Sequence, residues 1–277
     1  MKKPQDIALP FFAYGIFKPG QLAFPRIKDF VYRAEDGYVT GSFKERDGLP
    51  LFNPSQGRIN VRGTLIHFIE GRERDAYNRI IDIEPDKVYK WDTIKVNDKV
   101  NSNVLVGKRP VRGSVSLEES TWDGKEDPLF KYGLKEIESI LENNSVFRFG
   151  DYNVIFRLQM AYVFLWSIIE RYANLRYYFG GKPSEKVKYL ADEESFVEGL
   201  KTYVKSERVI VSVDQLNYKK LNPGNPKSSI DYYYQVRCNS AHRGKAVFKD
   251  FDIIKDSLTE LLAIFKYVLD NTLYLAK

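Results

Sequence analysis

Three polar residues that could act together lie within six positions near the end of the chain: Arg237, Asn239 and His242, in the segment RCNSAHRGK. The chain has only two histidines. A guanidinium is always charged and can hold a phosphate with two hydrogen bonds, and an imidazole exchanges a proton near neutral pH. Asn239 can orient either group. These residue types suffice for metal-free RNA cleavage, with His242 moving the proton and Arg237 stabilising charge on the phosphate.

The same segment also has a purely structural interpretation. Arg237 could cap a helix or pair with a carboxylate, and His242 could be an ordinary cap residue. Positions five apart do not share a face of a straight helix, and Gly244 can end a helix. We therefore expect a helix that runs through the tyrosines before Arg237 and ends near His242.

A second candidate site lies near the start of the chain, in AYGIFKPGQ, residues 13–21, after the apolar stretch LPFF. Tyr14-Gly15 and Pro19-Gly20 bracket a tight loop. Glycines let backbone N–H groups turn toward one point, which suits a carboxylate or a phosphate. Many loops of this composition are turns with no ligand, so the loop alone assigns no function.

The second half of the chain resembles the HEPN superfamily over about residues 145–277. The resemblance is carried by YYYQVRCNSAHRGK, by FLWSIIERY in a long preceding helix, and by the aspartate-led amphipathic stretch that starts at Asp250. It implies a helical homodimer in which Arg237, Asn239 and His242 contribute to a composite ribonuclease site. Some members are instead non-catalytic binding or dimerisation modules. Cys238 occupies the position after the arginine where the family often has its polar residue.

The first half resembles the gamma-glutamylcyclotransferase-like, or AIG2-like, fold over about residues 9–107. The resemblance is carried by the order YG-x-x-K-x-G, then V-x-G-x-L from Val61, then AYNRIIDIEPDKVYKWDTIKV. It implies that Tyr14, Gly15, Ile16 and Phe17 bind the amino-acid end of a ligand and that Glu84 is the acid/base. Tyr89, on the strand that follows Glu84, is expected to bind the ligand as well. Asp82 lies two residues before Glu84 rather than three, and Pro85 replaces the usual glycine. Glu84 could alternatively be a solvated acid in a polar turn.

The elements that must position these residues differ between the halves. Alternation from Val61 to His67 predicts a strand, and Glu73 to Ile81 has helical spacing. Helices are expected at about residues 151–179, 192–204 and 251–273. The fold class is therefore α+β: a strand-rich, cyclotransferase-like barrel domain at 1–107, a linker and connecting helix at 108–144, and an all-α, HEPN-like bundle at 145–277.

Composition restricts the class of protein. A chain of 277 residues with 43% hydrophobic residues has room for two cored domains. One cysteine, Cys238, excludes an intramolecular disulfide and suits a cytoplasmic location. The apolar run from Met160 to Ile169 is shorter than a membrane span, so no membrane partner is expected. No pattern predicts a metal site or a cofactor.

These patterns together predict a metal-independent endoribonuclease of HEPN type, controlled by a small amino-acid-like or nucleotide-like ligand in the first domain. A role in toxin–antitoxin systems or antiviral defence follows from the HEPN resemblance. The net charge of +6 permits RNA as a partner. One alternative is a cyclotransferase that releases 5-oxoproline and uses its helical half only to dimerise. Another is a non-catalytic binding or antitoxin-like protein.

Overall fold

The structure is a computed structural model of the chain. It describes residues 1–84, 86–108, 113–117, 120–122, 124, 127–144, 146, 151–177, 182–212, 217–242 and 250–273. Contacts divide the chain into two compact units. The first is built mainly from Met1–Pro128, and the second from Leu129–Asn174 and Phe179–Thr272. Each unit is described by itself.

The first unit is a curled, strand-rich half-barrel sheet. Its strands are β1 (Phe11–Ala13), β2 (Val31–Arg46), β3 (Leu49–Asn53), β4 (Ile59–Phe68), β5 (Tyr89–Val96), β6 (Val100–Gly107) and β7 (Val115–Ser116). The spatial order is β3-β2-β4-β1-β6-β5, and β7 pairs with β2. Strand β1 is antiparallel to β4 and parallel to β6. The short central strand is thus buried within the sheet.

The residues of β1 alternate between two cores, one on each face of the sheet. Phe11 and Ala13 pack into one apolar cluster, and Phe12 into the other. Helix α1 (Glu73–Ile81) buries Tyr77 and Ile80 in the same cluster as Phe11. The predicted strand at Val61–His67 and helix at Glu73–Ile81 are confirmed, because period-two and helical apolar spacing both match a real buried face.

The stretch predicted as a linker contributes to the first unit. Strand β7 pairs Val115 and Ser116 with Glu45 and Lys44 of β2. Trp122 is buried in the apolar cluster around Phe12. The described part of residues 113–128 therefore packs with the sheet, although no periodicity in its sequence indicated a strand.

The second unit is mostly helical. Its helices are α2 (Leu134–Asn143), α3 (Tyr152–Arg176), α4 (Pro183–Lys186), α5 (Glu194–Tyr203), α6 (Pro226–His242) and α7 (Phe251–Leu273). The predicted helices of this half fall at α3, α5, α6 and α7. The prediction that it is all-α is wrong, because β8 (Arg208–Val211) and β9 (Tyr218–Leu221) form an antiparallel hairpin.

Helix α3 is long and apolar. Among the described helices it alone is long and apolar enough, by length and composition, to cross a membrane, and half of its apolar window is buried inside the protein. Tyr152, Phe156 and Met160 keep exposed surface at intervals of four residues. The helix therefore has one apolar face turned into its own unit and one that is uncovered.

Candidate functional site

A cavity lies where β1 ends and the glycine loop begins. It is lined by Phe11, Phe12, Ala13, Tyr14, Gly15, Ile16, Phe17, Leu49, Pro50, Glu84, Tyr89 and Leu105. Six of these are the residues that the sequence predicts for the first domain: Tyr14, Gly15, Ile16, Phe17, Glu84 and Tyr89. Its volume is about 30 Å³, which is room for one or two water molecules.

Glu84 is the only charged residue that lines this cavity within the described part of the chain. It stands just after α1, where its amide donates a 3.2 Å hydrogen bond to the carbonyl of Ile80. The side chain is half-buried. A carboxylate against aromatic and aliphatic walls is screened less by solvent than one that is fully exposed.

Two tyrosines form the polar part of the cavity wall. The hydroxyl of Tyr14 donates to the carbonyl of Leu105 at 2.6 Å, and that of Tyr89 donates to the carbonyl of Pro50 at 2.7 Å. Burial raises the pKa of Tyr14, and the negative charge of Glu84 raises it further. Burial also raises the pKa of Tyr89, and electrostatic interactions with the nearby Tyr14 and Glu84 raise it further. Both phenols therefore stay neutral at physiological pH.

The loop after β1 presents unused backbone donors. The carbonyls of Gly15 and Ile16 accept hydrogen bonds from the amides of Lys18 and Ala23. The amides of Gly15, Ile16 and Phe17 themselves make no hydrogen bond to any described residue. Successive free N–H groups at a cavity wall suit a carboxylate or phosphate. The residues that line the cavity thus include three whose amides have no partner among the described residues, and one carboxylate, Glu84.

Sequence reasoning missed part of this cavity. Leu49 and Pro50 come from β3, after a tight turn in which Asp47 and Gly48 both have positive φ. The Asp-Gly pair is a hairpin signal that could have located the turn. The sequence pattern did not show that the strand after it would face the glycine loop.

The predicted site of the helical unit is described only in part. Arg237 is half-buried on α6, and its guanidinium carbon lies 5.7 Å from the centre of the Tyr234 ring. Its Nε atom is buried without a hydrogen-bond partner among the described residues. His242 is the last residue of α6, as predicted for the helix end, but its side chain lies outside the described part of the structure, as do residues 243–249.

The side chain of Asn239 is buried and hydrogen-bonded to other parts of the protein. The residue is 7% exposed, its side-chain amide donates to the carbonyl of Val211 at 2.9 Å, and its oxygen accepts from Gln235 at 2.9 Å. Both ends of the side chain are therefore occupied by the protein. The bond to Val211 joins α6 to the β8–β9 hairpin.

The other histidine, His67, lies on β4 with its Nε2 atom 3.2 Å from Glu35. The described residues include no group of three or more His, Cys, Asp or Glu side chains that could hold a metal ion. Comparison of the chain with family models, with curated proteins and with solved structures finds no match.

Proposed function

We propose that the first unit is a cyclotransferase-type enzyme that acts on a gamma-glutamyl amine or peptide and releases 5-oxoproline. The observation that carries this proposal is the convergence of Tyr14 and Gly15 with Glu84 and Tyr89, about 70 residues later in the sequence, on one cavity. The three free loop amides supply the complementary anion-binding group. The resemblance of residues 9–107 to the AIG2-like fold gives the reaction class.

The reaction needs one group that accepts a proton and returns it. The α-amino nitrogen of the substrate attacks its own γ-carbonyl carbon, closing the five-membered lactam, and the bond from that carbon to the departing amine breaks. Glu84 takes the proton from the attacking nitrogen and passes it to the departing one, so no water is consumed. The amides of Gly15, Ile16 and Phe17 would hold the α-carboxylate, while neutral Tyr14 and Tyr89 shape the wall.

Ligand entry requires the cavity to enlarge. A volume of about 30 Å³ accommodates water but not an amino acid. The part of the wall at the sheet edge is β3, whose Pro50 accepts a hydrogen bond from the hydroxyl of Tyr89 and lies against Gly15. Outward displacement of Leu49 and Pro50 would open the cavity without breaking the central strands.

The test is a 5-oxoproline release assay with γ-glutamyl-n-butylamine and γ-glutamylalanine. Glu84→Gln keeps the size of the side chain but cannot carry the proton, so turnover should fall by about 10²- to 10⁴-fold. The matched control is Asp86→Asn, an exposed carboxylate two residues further on, which should keep wild-type turnover. Undiminished 5-oxoproline release by Glu84→Gln would exclude this function.

A second candidate function, RNA cleavage by the helical unit, is favoured by one observation. Arg237 is half-buried with its guanidinium over the Tyr234 ring, and a guanidinium can hold a phosphate through its terminal nitrogens. The uncovered face of α3 at Tyr152, Phe156 and Met160 supports a homodimer through this unit. Under this second function, a ligand bound in the first unit would control RNA cleavage by the helical unit.

The RNA test uses purified protein and total RNA in the presence of EDTA. His242→Ala should lower cleavage by about 10²-fold or more, and the wild-type products should carry 2′,3′-cyclic phosphate ends. His67→Ala removes the other histidine of the chain and serves as the control. Equal cleavage by His242→Ala would exclude a HEPN-type ribonuclease. The alternative of a non-catalytic binding or antitoxin-like protein predicts that neither His242→Ala nor Glu84→Gln alters any turnover, although partner binding can change.

A further inference from the structure

Two acidic residues flank Glu84 at equal distance along the chain, and they differ in what they contact. Asp82 accepts a 2.6 Å hydrogen bond from the guanidinium of Arg26. Asp86 is exposed, and within the described residues only its backbone carbonyl accepts a hydrogen bond, from Lys108. The side chain of Arg26 is fully buried, whereas half of the Asp82 side chain is exposed. A buried guanidinium is costly unless it is paired, so the contact with Asp82 is strongly favoured.

Arg26 is connected to the loop that lines the cavity. It ends a short 3-10 turn, Phe24–Arg26. Its amide donates to the carbonyl of Ala23 at 3.1 Å, and the amide of Ala23 donates to the carbonyl of Ile16 at 3.0 Å. Hydrogen bonds therefore run from Ile16, at the cavity wall, to the residue that holds Asp82.

At its other end, the ion pair reaches the segment that carries Glu84. The amide of Asp82 donates to the carbonyl of Asn78 at 3.2 Å, and that of Glu84 to the carbonyl of Ile80 at 3.2 Å. These bonds continue the last turn of α1, and the last turns of helices fray. A fixed anchor two residues before Glu84 opposes that fraying.

We propose that Arg26 and Asp82 form a positioning pair that sets the distance between the Glu84 carboxylate and the amides of the glycine loop. This inference rests on the proposed cyclotransferase function. Neither residue lines the cavity, so the pair acts through Glu84 and the loop rather than on the ligand. Displacement of a reacting group by about 1 Å can cost on the order of a hundredfold in rate, which is why supporting contacts around a site affect turnover.

The experiment compares variants of the full chain in 5-oxoproline release from γ-glutamyl-n-butylamine and γ-glutamylalanine. In Asp82→Asn, kcat should fall about 10- to 100-fold while KM changes by less than about threefold, because binding groups remain and proton-transfer geometry is lost. Asp82→Glu should recover most of kcat, since the exposed half of this side chain leaves room for a longer carboxylate. Asp86→Asn is the matched control and should behave as wild type.

The outcomes separate the positioning pair from the proposed function. If Asp82→Asn has the kcat of the wild type, the proposal that Arg26 and Asp82 position Glu84 is wrong. A loss of kcat that Asp82→Glu does not recover, with an equal fall in Tm in both variants, also overturns it, because that is the result of a purely structural role. If Glu84→Gln turns over like wild type, or wild type has no turnover, the proposed function fails and the pair fails with it.

Discussion

Asn239 and Arg237 lie two residues apart in one motif, and their side chains differ in what they contact. The sequence places it between Arg237 and His242 as a supporting catalytic group, but its side-chain amide is bound to the carbonyl of Val211 and its oxygen to Gln235. A buried amide with both ends occupied cannot turn toward a substrate without leaving polar atoms unpaired. Arg237, by contrast, keeps an unpartnered donor within the described structure.

This difference predicts the effect of Asn239→Ala. The variant leaves the carbonyl of Val211 without its side-chain donor, so the free energy of unfolding should fall by about 1–3 kcal/mol. Urea denaturation followed by circular dichroism measures it. Ser240→Ala, which removes only a hydroxyl bound to Val236 within the same helix, is the control and should change stability less. Full stability combined with complete loss of RNA cleavage would instead make Asn239 a catalytic residue.

The glycines of the N-terminal loop are needed for two separate reasons. Gly20 has a φ of 81°, a left-handed conformation that other residues rarely adopt. Gly15 has no such conformation, but a Cβ atom there would lie 3.1 Å from Cγ of Pro50. A side chain at position 15 would therefore press on the cavity wall, whereas one at position 20 would strain the backbone.

At the scale of elements, the β8–β9 hairpin depends on charged contacts with helices. Arg208 of β8 forms an ion pair with Glu260 of α7, and the hydroxyl of Tyr233 of α6 donates to the same carboxylate at 3.1 Å. Leu221 of β9 is fully buried. The two strands have four residues each, too few to be stable as an isolated hairpin. The hairpin therefore forms because the helices supply its partners.

The β2–β3 hairpin is the element that closes the candidate site. Its turn at Asp47 and Gly48 has φ values of 52° and 74°, which matches the right-handed twist of the flanking strands. The turn brings Leu49 and Pro50 onto the cavity. The hairpin thus forms one wall of the cavity that Glu84 also lines, while α1 and β1 pack in the sheet core.

At the scale of the whole molecule, both units bury tyrosines whose phenols must stay neutral. Burial is the first cause of a raised pKa for five of them: Tyr14, Tyr77 and Tyr89 in the sheet unit, and Tyr162 and Tyr233 in the helical unit. In the unfolded chain these phenols ionise near their ordinary value of about 10. Both units are therefore sensitive to alkaline pH.

The sign of this effect gives a prediction. Above about pH 10 the unfolded chain binds fewer protons than the folded one, so the free energy of unfolding falls as pH rises further. Stability from these tyrosines should be fully present below that pH and decline through the alkaline range. Calorimetric Tm values measured from neutral pH to about pH 11 check this, together with phenolate absorbance. Ionisation of all tyrosines before any loss of circular dichroism would contradict it.

The sequence by itself determined the mixed α+β class, the strand at Val61–His67 and the helices α1, α3, α5, α6 and α7. Apolar periodicity identifies such elements, because each one buries a continuous face. The glycine loop was predicted from its composition, and Glu84 from the resemblance to the AIG2-like fold. The tertiary structure alone decided that Pro50 covers this loop, that Arg26 holds Asp82, and that Asn239 joins α6 to a hairpin. These contacts join residues distant in sequence, and no local pattern records which partners folding brings together.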